Sequence, residues 1–301
     1  MATKRQLIVA VGIALAVHIF SPGVPHAEMI GVLTLGSPAD EMALAAPAAS
    51  DSDIVVAPSV TSSTVGAGIK TIPISAACRD AQTGAIVPNC NVQLSLRAIP
   101  FSGGHDHDDT NRPRGVVTPA AGNTGAGVLT VTYTAPEVSG LIEVTLTGTD
   151  ANGNPITPAQ ATFGVGIKGL VTLPPGTDYV LIGSFGEPGV ASRHVGNHVG
   201  TPSVIASLRI LATLYSILFP GQLLQYNDMS LVWGGLFDVG NAWSPSPLGH
   251  FTHRFGTDAD VRVTDQTVPV QNRTLLRLLI RLAGFPGVVE ETARRHWHLI
   301  Q

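Results

Sequence analysis

Positive charge is thin in this chain. Its 17 Lys and Arg are scattered along the chain. The electrostatic footprint of a nucleic-acid-binding protein is therefore missing, and no nucleic-acid partner is expected. Charged residues of both signs make up only 13%, and the formal net charge is −4. Cysteine occurs only as Cys78 and Cys90, both within one β-rich stretch. A local disulfide is the simplest reading, with two buried thiols as the alternative. A long apolar run is missing too. The stretch Leu7 to Phe20 is interrupted by His18 and broken by Ser21-Pro22-Gly23, and a membrane span needs about 20 residues. No internal repeat is visible.

What the N-terminus does carry is an export signal. Lys4 and Arg5 precede the apolar run, and Ala27 is the expected last residue before cleavage. Pro25 sits where a small residue is preferred, which keeps an uncleaved anchor as the alternative. Residues 1–27 are thus read as a signal peptide. The protein is expected to be exported, to the periplasm or beyond, with no stable membrane span after cleavage. An exported protein meets oxidising conditions, which suits a disulfide.

Hydrophobic residues make up 44%, and Gly 33 and Pro 22 imply many turns. Residues 28–51 are rich in Ala, Pro, Ser and Gly without a sustained period and read as a linker. Residues 52–167 read as all-β. Val92–Leu96, Val128–Tyr133 and Ile142–Thr147 are Val-, Thr-, Ile- and Leu-rich runs, and Thr149–Asn154 is a turn signature. Short strands at this spacing suggest an immunoglobulin-like sandwich. Tyr133-Thr134-Ala135-Pro136 with Ser139-Gly140 also resembles bacterial immunoglobulin-like repeats.

Residues 168–301 change character. Thr201-Pro202 predicts a helix start, with apolar residues at helical spacing to Phe219 and a stop at Pro220-Gly221. Its length and Arg209 argue against a membrane span. A second helix is predicted over Arg273 to Ala283, with Gly284 ending it. Strands are expected at Leu223–Tyr226, Asp258–Val263 and His296–Ile300. The mixture reads as α+β.

Eight of the 10 histidines form four close pairs: His105/His107, His194/His198, His250/His253 and His296/His298. Such pairing points to metal chemistry. His253 precedes Gly256, through which the chain can turn to bring this imidazole to Asp258 or Asp260 on a strand. One imidazole and one carboxylate are thereby offered to an ion, and an exposed turn with ordinary surface charges is the bland alternative. His296 and His298 share a strand face. One can bind metal while the other stands beside the reacting carbonyl, and a surface pair is the alternative. Zinc in a catalytic site takes three such ligands and keeps one position for water. His194 and His198 have a helical spacing, but Gly196 and Gly200 argue for a loop with a structural or cleft-lining role. Gly104-His105-Asp106-His107-Asp108-Asp109 reads as a solvated hairpin loop.

His250-x-x-His253-x-x-Gly256-x-Asp258-x-Asp260, followed by His296-x-His298, resembles the penicillin-insensitive murein endopeptidases and the wider LAS group of zinc peptidases. Asn227-Asp228-Met229-Ser230-Leu231-Val232-Trp233-Gly234-Gly235 resembles the segment preceding their first metal motif. The resemblance covers residues 223–300. It implies a hedgehog/DD-peptidase-like α+β domain in which His253, Asp260 and His298 hold Zn2+. It makes His296 the catalytic histidine, places His250 in the site lining, and leaves Asp258 to orient a ligand. The implied substrate is peptidoglycan or a peptide. Two departures stand out. Related D-Ala-D-Ala peptidases carry Glu three residues before the last ligand, where Arg295 stands here. Glu290 and Glu291 lie too far upstream to replace it, so the general base is read as His296. The stretch 261–297 is also short for the endopeptidases, which puts the bond specificity in question. A surface binding protein that keeps the fold without turnover is the competing reading. A zinc hydrolase of a non-wall substrate is another.

Overall fold

The computed structural model describes residues 29–35, 55–56, 71–105, 111–167, 169–183, 194, 196–236, 243, 253–291 and 295–301. The expected signal peptide, residues 1–27, lies outside the described residues, as do residues 36–51 of the expected linker. Among the described residues no helix is long and apolar enough to cross a membrane.

The first half is built from β1 (Met29–Leu35), β2 (Val55–Val56), β3 (Thr71–Asp80), β4 (Ile86–Val87), β5 (Asn91–Ala98), β6 (Val116–Thr118), β7 (Ala121–Asn123), β8 (Val128–Thr134), β9 (Gly140–Thr149) and β10 (Ala159–Val165). One five-stranded sheet runs β1-β3-β8-β6, with β4 also on β3, and the other runs β2-β10-β9-β5-β7. Strand alternation puts Val92 and Leu94 of β5, and Ile142, Val144 and Leu146 of β9, inward. They share one core with Ile72 and Ile74 of β3 and Val131 and Tyr133 of β8. Each fully buried Val, Leu or Ile contributes about 1.5–3 kcal/mol. Cys78 and Cys90 are buried in this core and joined by a disulfide.

Part of the expected linker is a strand. Met29–Leu35 pairs antiparallel with β3 from Met29↔Asp80 to Leu35↔Ile74. Met29 and Leu33 pack against the core. The Ala/Pro/Ser bias that suggested a linker lies after this β-prone run, and averaging over residues 28–51 hides it.

The second half contains β11 (Val171–Thr172), β12 (Tyr179–Leu181), β13 (Val199–Gly200), α1 (Pro202–Leu218), β14 (Leu224–Tyr226), β15 (Asp258–Arg262), α2 (Arg273–Leu282), β16 (Gly287–Glu291) and β17 (His296–Ile300). Thr201 caps α1 by accepting from Val204 N at 3.3 Å, with Pro202 in the first turn. α1 buries Val204, Leu208, Leu211 and Tyr215, and α2 buries Leu276, Leu279 and Ile280. Both helices share a core with Ala259, Val261, Trp297 and Leu299 of the sheet β12-β14-β15-β17-β16.

The halves are joined by backbone as well as side chains. Val138 bridges Gly235, Ile167 N donates to Trp233 O at 2.8 Å, and Leu236 N donates to Glu137 O at 2.8 Å. Arg254, 1% exposed, pairs with Glu137 at 3.3 Å. Its burial pulls the guanidinium pKa down, and the Glu137 charge opposes that shift.

Candidate metal centre

Strand alternation and register assemble most of the site. Ala259 and Val261 of β15 enter the helix-covered core, which turns Asp258 and Asp260 to the other face. Trp297 and Leu299 do the same in β17 and leave His296 and His298 opposite the helices. The antiparallel register then sets Asp260 directly across from His298, and Arg262 across from His296. His253 arrives from a single 3-10 turn, His253–Phe255, just before Gly256. Gly256 has φ +68°, and an added Cβ would lie 2.6 Å from Leu170 Cδ2 and 2.9 Å from Gly200 Cα. Only glycine suits that turn.

His298 Nδ1 lies 2.8 Å from Asp260 Oδ1, and His253 Nε2 lies 3.4 Å from Asp260 Oδ2. The two imidazoles meet edge-on at 4.8 Å. One ligand atom from each of His253, Asp260 and His298 lies within 4.8 Å of the others, and all three residues are buried. This group could hold a metal ion. The chemistry of the donors fits one: two imidazoles and a carboxylate are ordinary metal ligands. His298 Nε2 and Asp258 Oδ1 are buried with no hydrogen bond among the described residues, which leaves coordinating capacity at the cluster. Asp258 Oδ2 stands 3.8 Å from His298 Nε2.

The charges are strongly coupled. Burial pushes the Asp260 carboxyl up, but the imidazoles of His253, His298 and His296 outweigh it and hold Asp260 well below the usual carboxylate range. Burial pulls His298 down, yet the neighbouring carboxylates of Asp258 and Asp260 raise it to about 9. A metal must displace that proton.

His296 stands beside the group. Its Nε2 lies 3.3 Å from Asp260 Oδ2 and 3.3 Å from Glu291 Oε2. Glu291 does not take the position of Arg295, yet it still reaches the site. The β16–β17 hairpin places Glu291 directly across from His296. Asp228 was also missed as a site residue, although the segment around it had been singled out. It is buried, and Asn197 Nδ2 donates to its Oδ1 at 2.6 Å. Its backbone O accepts from Asp260 N at 3.0 Å. Burial, with the Asp260 charge adding, raises the Asp228 carboxyl to about 7.

The remaining histidines separate. His250 and His107 lie outside the described residues. His198 Nε2 sits 2.7 Å from Ile182 O and 3.3 Å from Tyr226 O, a structural tie near β12 and β14. His194 is fully buried and acts electrostatically on Asp228. His105 is not on a solvated loop: it is 2% exposed, its ring 5.2 Å from those of His194 and Trp243. The segment after β5 folds against the second half, with Gly104 close to Leu231 and Val232. Local polarity alone does not reveal that packing. Comparison of the chain with protein-family models finds no match, and comparison with curated proteins finds none either.

Proposed function

We propose that this protein is an exported zinc-dependent hydrolase that cleaves amide bonds in the peptides of peptidoglycan. The convergence of His253, Asp260 and His298 at one buried point, with His296 alongside, carries the reading. The ligand set is the one zinc takes in hydrolytic sites. Zinc, when bound, supplies a water of pKa about 7 and polarises the scissile carbonyl.

The protein's own groups divide the remaining work. Asp260 stays ionised and holds both ligand imidazoles in place. Asp258 steadies His298 from behind. His296, between Asp260 and Glu291, is placed to take a proton from the attacking water and return it to the leaving amine. Glu291, 3.3 Å from that imidazole, fixes its orientation. His250, by the motif resemblance, lines the same site. The β-rich first half would position the enzyme on the wall.

Activity should vanish on chelation and return with zinc. His296→Ala should keep its zinc and lose about 100-fold or more in rate. Full turnover of purified peptidoglycan by the chelated protein, or by His296→Ala, contradicts the proposal.

A further inference from the structure

The surroundings of the metal group differ from side to side. On the β14 side it is closed: Asp228 and Asn197 are buried there, and Asp260 N donates to Asp228 O at 3.0 Å. At the Asp258 end the His253 turn closes it, with Gly256 packed closely on Gly200. The opposite end is polar, because Arg262 and Glu291 flank His296 on its two neighbouring strands. The β16 side is apolar and open.

Register decides what that side carries. Val288 packs against the helix-covered core, so alternation turns Val289 to the face of the metal group. Val289 lies directly across from His298, and side chains so paired have Cβ atoms about 4.5–5.5 Å apart. Ile300 follows His298 by two positions along β17 and shares its face. It stands across from Gly287, where an added Cβ would come within 3.2 Å of Ile300 Cβ. The glycine thus lets Ile300 lie close over the β16 backbone, diagonal to Val289. Val289 is 48% exposed and Ile300 37% exposed. Two aliphatic side chains are left in water beside a metal ligand, on an edge where charged residues are the usual protection against pairing.

Resting on the hydrolase reading above, we infer that Val289 and Ile300 form the subsite for an aliphatic side chain of the peptide substrate, on a residue adjoining the reacting bond. One strand spacing, about 4.8 Å, separates Val289 from His298, within the reach of one or two residues of extended peptide. The peptide then crosses the face from β16, with its apolar side chain over this strip and its carbonyl over the group of His253, Asp260 and His298. Val289 and Ile300 are specificity-determining residues in this account, and proton transfer stays with His296.

The test is a methyl-resolved NMR titration of the full chain, zinc-loaded and after chelation. The probes are acetyl-dialanine amide, in its L,L and D,D forms, and acetyl-diglycine amide. Strand register, not the ion, forms the strip, so one hand of the alanine peptide should bind about fourfold more tightly than the glycine peptide in both states. That ratio corresponds to one methyl group taken out of water. The Val289 and Ile300 methyl signals should shift with the alanine peptide. In the double variant Val289→Thr/Ile300→Thr, which keeps β-branched side chains, the ratio should fall towards one while zinc content stays at the wild-type level. A wild type that binds the peptides alike, or binds none, overturns the inference. So does a preference that survives the double variant, a binding shift that spares these two methyl positions, or loss of zinc in the variant, which would make the pair a structural support. Peptidoglycan turnover without the alanine preference sinks this inference alone, and the preference without turnover sinks only the hydrolase reading.

Discussion

Metal affinity should climb steeply with pH, and Asp258 should control the slope. His298 holds a proton to about pH 9 because the carboxylates of Asp258 and Asp260 favour its imidazolium against the opposing effect of burial. That proton competes with a metal ion for the ring. With a pKa of about 9, about one His298 in a hundred is unprotonated at pH 7 and about half at pH 9. Zinc affinity should therefore rise about fifty-fold over that interval and level off above it. The sign follows from the direction of the shift: a raised imidazole pKa depresses metal binding below it. Asp258→Asn removes one of the two carboxylates that raise it while leaving the three ligands intact. Its limiting affinity at high pH, where His298 is unprotonated in both proteins, should fall, because a negative charge near the ion is lost. Its rise from pH 7 to 9 should shrink to a few-fold as the His298 pKa drops towards its ordinary value of about 6.5. The assay is competition with a chromophoric chelator, corrected for the chelator's own protonation. A wild-type affinity that is flat across this interval would refute the reasoning, as would an unchanged slope in Asp258→Asn.

Three further outcomes follow from the packing. Glu137→Gln should lower stability by about 2 kcal/mol in urea unfolding, less than the roughly 3–5 kcal/mol of a fully buried pair because Glu137 keeps 18% of its side-chain surface exposed; no loss would mean that the pair does not clamp the two halves. Gly256→Ala should cost roughly 2 kcal/mol or more, from the positive φ and the contact with Gly200 backbone, and should weaken metal binding by displacing His253; wild-type stability would contradict the turn geometry. Replacing both Cys78 and Cys90 with Ser should lower stability by about 3 kcal/mol, the usual effect of opening a short disulfide loop, checked by thermal unfolding with and without reductant. An unchanged midpoint would show that the bond contributes nothing.

Much of the site was legible because it is local. His253, Gly256, Asp258 and Asp260 lie within a few residues of one another, and alternation along β15 and β17 decides which side chains share a face. The two helices were legible for the same reason: Thr201-Pro202 and Gly284 mark ends that depend on nearest neighbours. What escaped depends on pairing between distant segments. Glu291 reaches His296 only through hairpin register, and Asp228 reaches Asp260 through a backbone bond between neighbouring segments. His105 is buried by contact between the two halves, which its Gly- and Asp-rich surroundings contradict. Met29–Leu35 needed β3 as a template before its short apolar run could count as a strand.

The most direct test of the account measures zinc content and peptide release from purified peptidoglycan in the same samples, for the wild type and for His253→Ala/Asp260→Ala. About one zinc per chain, as a single three-ligand site implies, lost in the double variant together with peptide release, is the result the account predicts. A wild type without zinc, or a double variant that still releases wall peptides, would contradict it.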